Sequence, residues 1–179
     1  MQYFDKNRPM QTFLLSVRDI LTSPKAFFAE LPPAAFYATS IFILTGIVFI
    51  ASFAGIPFRG FSLLFMVPVS WGLSLIALKF WSAYLSWAVK AMAHGKLTTA
   101  NAFHISSYAF VPLVLAYIPV VGLIACVWSI YLLWVALVSR CHVKPGLAAI
   151  IIVIPALIFA SAATEVLVLF AQMFPQLNQ

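Results

Sequence analysis

The sequence predicts an all-α integral membrane protein of five transmembrane helices, with the N-terminus in the cytoplasm and the C-terminus outside. Three observations carry this. Hydrophobic residues make up 64% of the chain and charged residues only 8%, against roughly 45–50% and about 25% in soluble domains. That much apolar surface cannot be hidden from water in a chain of 179 residues, so the solvent must be lipid. Apolar stretches of the length needed to cross a bilayer recur along the chain, and the basic residues between them fall almost entirely on one side.

Residues 1–35 read as a cytoplasmic segment with amphipathic surface helices. Phe13, Leu14, Val17, Ile20 and Leu21 recur at helical spacing, with Arg18 and Asp19 on the other side. Ser23 is an N-cap candidate with Pro24 at the first helical position. The short helix that follows carries Lys25, Phe27, Phe28 and Leu31 and stops at Pro32-Pro33. Phe13, Leu14, Val17, Lys25, Phe27 and Phe28 are the candidate membrane-surface residues. Docking of the same segment against the cytoplasmic end of the bundle is the alternative, and the two are compatible. No cleavable signal peptide is expected, because the first long apolar stretch begins only near Phe36.

A five-span domain is expected over residues 36–171, followed by a short tail, 172–179. The first span covers about 36–53 and ends at Gly55 and Pro57. The second covers about 61–93, longer than a crossing requires, so its second half, with Lys79, Trp81, Tyr84, Trp87 and Lys90, is expected to leave the bilayer through an interfacial aromatic belt. The third and fourth, about 102–118 and 121–138, are separated so briefly that they form a hairpin. The fifth covers about 147–170. Lys6, Arg8, Arg18, Lys25, Lys90, Lys96, Arg140 and Lys144 fall on one side and Arg59 on the other, which places the N-terminus inside.

Ionisable residues within spans are costly and therefore suspect. Glu165 in the fifth and Lys79 in the second would make a tempting pair. At ~1.5 Å per residue, however, Glu165 lies ~27 Å from the inner edge and Lys79 ~25 Å from the outer one, near opposite faces. Lys79 is expected to snorkel to cytoplasmic head groups. His94, His104 and His142 have neither the spacing nor the carboxylate neighbours of a metal site, and His104 reads as a buried hydrogen-bonding residue. Cys126 and Cys141 read as free thiols. No nucleophile elbow, zinc-protease motif, phosphate loop or paired-acid motif is present, so neither an enzyme nor a cofactor is expected. The basic residues form no patch with stacking aromatics, which argues against nucleic acid. Pro68, Pro112 and Pro155 interrupt spans and read as kinks. Ala156, Ala160 and Thr164, and Ser82 with Ser86, have the four-residue spacing of close helix packing.

The middle of the chain, His94-Gly95-Lys96, Thr98-Thr99-Ala100-Asn101-Ala102, Ser107-Tyr108-Ala109-Phe110-Val111-Pro112, Ile118-Pro119-Val120-Val121-Gly122 and Val143-Lys144-Pro145-Gly146-Leu147-Ala148, resembles the YIP (Ypt/Rab-interacting protein) domain family, as does the opening Ser23-Pro24-Lys25-Ala26-Phe27-Phe28. The likeness is to its small bacterial members and covers most of residues 20–170. It implies a five-span bundle with a cytoplasmic N-terminus. It also implies an association with membrane traffic and shaping, and hetero-oligomers in eukaryotic members. The long hydrophilic N-terminal region and acidic-aromatic motif of those members are missing here, so a GTPase partner does not follow.

The resulting expectation is a non-enzymatic, multi-pass protein of the inner (cytoplasmic) membrane. It would organise or stabilise a membrane protein complex or local lipid, with membrane lipids and a protein partner or a second copy as its contacts. The alternative is a small permease or channel using kinked helices, with Glu165, His104, Pro112 and Pro155 as its candidate polar site.

Overall fold

The computed structural model describes residues 9–33 and 37–157. They form α1 (Pro9–Thr22), α2 (Pro24–Glu30), α3 (Ala38–Arg59), α4 (Ser62–Phe65), α5 (Val67–Ala93), α6 (Thr99–Ala109), a 3-10 segment (Val111–Leu115) and α7 (Val121–Cys141), then α8 (Pro145–Leu157). No strand occurs among the described residues. Three helices, Ala38–Phe58, Val67–Ala93 and Val121–Cys141, are long and apolar enough to cross a membrane.

The fold centres on α6. Every residue from Ala102 to Ala109 is buried, because α6 is packed by α3 and α5 on one side and by α7 on the other. Small residues permit the approach to α5, where Ser82 is fully buried and its hydroxyl is returned to the Leu78 carbonyl at 2.6 Å. The Ser86 hydroxyl instead reaches across to the Leu97 carbonyl, also at 2.6 Å. Thr98 caps α6, its side-chain oxygen accepting from the Asn101 N–H at 3.2 Å.

Prolines account for most departures from the expected boundaries. The first long helix does not stop at Gly55 but continues through Pro57 to Arg59. Within the last turn a proline forfeits only one backbone bond, and the exit comes at Gly60, whose φ of 79° a side-chain-bearing residue would resist. The second span is not continuous from 61. It breaks at Met66, and Pro68 then sits at the start of α5, where its missing N–H costs nothing. Pro68 therefore opens a helix instead of kinking one. The third span is α-helical only to Ala109. Pro112 cannot donate to the Tyr108 carbonyl, so the chain tightens into 3-10 bonds, Leu113 N–H to Phe110 at 2.9 Å and Ala116 N–H to Leu113 at 3.0 Å.

The turn into α7 is as tight as expected. Val120 adopts φ 64°, and Gly122 is buried against the Ala116 backbone.

Candidate functional site: the bundle end that carries the basic residues

The N-terminal hairpin is joined to the bundle by its aromatic residues. Phe27 and Phe28 are 1% and 0% exposed, and α2 lies along α7. Phe27 meets Phe28 and Tyr108 edge-on, with ring centroids 5.2 Å apart in both cases. Tyr108 meets His104 at 5.0 Å, and His104 Nδ1 is joined to the Ser40 hydroxyl at 2.8 Å. One connected set of rings and hydrogen bonds thus links α2, α6 and α3. The Arg140 guanidinium, at the end of α7, adds a hydrogen bond to the Leu31 carbonyl just beyond α2, where the helix leaves its last carbonyls unpaired.

This corrects the membrane-surface reading of Phe27 and Phe28, which are inside the protein and cannot enter lipid. The hydrophobic stripe on α1 is divided as well. Ile20 is buried and Val17 half-buried, whereas Leu14 and Leu21 are 59% and 48% exposed. Leu14, Arg18 and Leu21 follow one another at i, i+4 and i+7, so they share an outer edge. Lys25 is exposed, and the side chain of Phe13 lies outside the described set.

The other candidates separate in space. His104 is buried and hydrogen-bonded, as its place in the sequence suggested. Lys79 lies beside the start of α3, donating to the Tyr37 hydroxyl at 3.1 Å with its ammonium 4.4 Å from the Tyr37 ring centroid. The C-terminal half of α5 therefore extends past the first turn of α3. Ala156 is half-buried in α8, while Ala160, Thr164 and Glu165 lie outside the described residues. Among the described residues no three His, Cys, Asp or Glu side chains gather as a metal site.

Pro155 carries the clearest piece of chemistry. Its missing N–H frees the Ile151 carbonyl one turn earlier, and the Tyr84 hydroxyl donates to that oxygen at 3.0 Å. The broken helix therefore offers no open carbonyl there. Sequence reasoning missed Tyr84, although a tyrosine on a helix packed against a proline-containing one is the signal. Tyr84→Phe keeps the ring and leaves the carbonyl unpaired. It should cost about 1 kcal/mol in reversible unfolding from mixed micelles, within the range for such bonds in membranes. Tyr131→Phe, whose hydroxyl has no partner among the described residues, should cost nothing measurable in the same assay.

A cavity of about 900 Å³ opens between α3, α5, the 3-10 segment and α8, walled by Leu44, Val48, Trp81, Phe110 and Pro155 with Ser74 at one side. Its walls suit apolar matter and supply no charge.

A comparison with family models matches residues 18–165 to the Yip1 domain. No curated protein and no solved structure matches the chain.

Proposed function

Because this chain belongs to the Yip1 domain family, and is with it a membrane protein, we propose that it acts by binding, as a non-enzymatic organiser of a membrane complex or of local lipid. The five-span topology belongs to the same reading, with the N-terminus and the basic turns inside. The charge bias supports it. So does the joining of α5 to α6 and of α7 to α8 at one end, through turns that carry Lys96 and Lys144.

One observation carries the binding role. The α1–α2 hairpin is attached by Ile20, Phe27, Phe28 and Leu31, yet presents Leu14, Leu15 and Leu21 outward beside Arg18. An apolar edge rimmed by charge is what a second protein or a bilayer surface recognises. A small permease would need backbone groups open at its proline breaks, and the one at Pro155 is occupied by Tyr84.

Purification of the chain from its membrane in mild detergent, followed by native mass spectrometry, should recover a second copy, a stoichiometric partner or bound lipid. The double variant Leu14→Ser/Leu21→Ser should lose that companion at unchanged melting temperature, because both side chains are exposed. A bare monomer from the unaltered chain would overturn the reading.

A further inference from the structure

One face of α5 changes character along its length. Ser70, Ser74 and Ala77, at i, i+4 and i+7, are followed by Trp81 and Tyr84 at i+11 and i+14, so they share one stripe of the helix. All of them border the cavity of about 900 Å³. The small residues make the room and the two rings close it. From Ser70 to Trp81 the stripe runs ~16 Å, so the cavity extends lengthwise along α5. Leu44 and Ala51 of α3 and Leu113 of the 3-10 segment form the facing walls.

Most hydroxyls in these helices are used within the protein. Thr45, Ser52, Ser82, Ser107 and Ser139 each donate to the carbonyl four residues earlier, at 2.6 to 2.8 Å. The half-buried Ser70 and Ser74 make no such bond, and their hydroxyls have no other partner among the described residues. The indole N–H of Trp81, on the same stripe, is buried without an acceptor. Ser106 and Ser129 also lack partners, but neither borders the cavity. Three groups able to donate a hydrogen bond therefore stand along one wall, and no charged side chain accompanies them there.

A space of this size, apolar with a few polar groups on one side, has the composition of a ligand site. Its occupant is hydrocarbon for most of its length, since α3 and the 3-10 segment offer it only apolar side chains. It carries an acceptor oxygen, because the α5 wall has donors to spare. That oxygen is uncharged, because an ion placed here would be left without a counter-charge. An ester carbonyl on an acyl chain meets all three conditions.

We propose that this cavity binds an ester-linked acyl chain of a lipid, which lies along α3 and the 3-10 segment while its ester carbonyl accepts a hydrogen bond from Ser70 or Ser74. The same chemistry comes from a free diacylglycerol or from a phospholipid that inserts one chain. The inference rests on the membrane reading above and gives the local lipid a place, but it does not depend on the partner of the N-terminal hairpin.

The test uses the full chain in vesicles of ether-linked phosphatidylcholine, which offers no ester carbonyl. A trace of diacylglycerol or of ester-linked phosphatidylcholine, each with a photoreactive diazirine on one chain, is added and the labelled peptides are identified. Labelling at residues 44–51 and 111–116 should exceed that from the matching ether-linked probe about fivefold, the weight of one hydrogen bond inside a membrane. A lead of diacylglycerol over phosphatidylcholine assigns the site to a free neutral lipid, the reverse assigns it to a phospholipid chain, and either supports the proposal. Ser70→Ala/Ser74→Ala should erase the ester preference at unchanged melting temperature. Ala77→Phe, which fills the cavity, should abolish the labelling, while Ala83→Phe on the exposed face of α5 should leave it intact. Equal yields from ester and ether probes would overturn the proposal. So would labelling no stronger than at the outward Leu73 and Ile76, which indicates ordinary boundary lipid. A disulfide from Ser74→Cys to a cysteine introduced within 158–170, or to its counterpart in a second copy, would also overturn it, because protein then occupies the cavity. Each of these results leaves the Leu14→Ser/Leu21→Ser test of the hairpin standing.

Discussion

Phe28→Ala should detach the N-terminal hairpin and lower stability by about 3–5 kcal/mol, the range for a large aromatic lost from a closed core. Phe28 has no exposed surface, and its neighbour Phe27 touches Tyr108. The void cannot be filled cheaply, because α2 is only seven residues long and stops at Leu31-Pro32-Pro33. Reversible unfolding in mixed micelles gives the magnitude. Amide exchange over residues 9–30 gives the location, and protection there should fall before protection in α5 or α7. Leu14→Ala, on the exposed edge of the same hairpin, should leave both readouts within error. Loss of protection spread evenly over the whole bundle would show instead that the hairpin is not a separable attachment.

Gly122→Ala should be comparably damaging, at about 3 kcal/mol, the upper end for overpacking. A Cβ at that position would lie 2.4 Å from the Ala116 carbonyl oxygen and 3.0 Å from its carbonyl carbon. Both obstacles are backbone, so neither can rotate away, and the turn between the 3-10 segment and α7 must open. Gly72→Ala in α5 is the matched control. It meets nothing within 4 Å, and exchanging a mid-helix glycine for alanine should stabilise by about 0.5–1 kcal/mol. The two substitutions add the same methyl group and should move the unfolding midpoint in opposite directions.

Much of this architecture is legible in the sequence because it follows from local rules. Ser23-Pro24 begins α2, Thr98 caps α6, and Pro119-Val120 turns the chain. The location of Lys79 near the start of the first long helix follows from counting residues at a known rise, and its contact with Tyr37 agrees. What periodicity does not convey is the partner. The spacing of Phe27 and Phe28 shows that α2 has an apolar side, but a lipid surface and Tyr108 satisfy that side equally well. Likewise Pro155 announces a freed carbonyl, whereas Tyr84, which answers it, is 67 residues away from Ile151 in the chain.

The 3-10 segment after α6 has a geometric consequence of its own. Its five residues advance by ~2.0 Å each, about 10 Å in all, where an α-helix would cover only ~7.5 Å. The difference, ~2.5 Å, is comparable to the few ångströms by which biological bilayers differ in thickness. A chain without Pro112, wound here as an α-helix, would have a central column shorter by about that amount. The proline that breaks the helix thus fixes this column at its greater length.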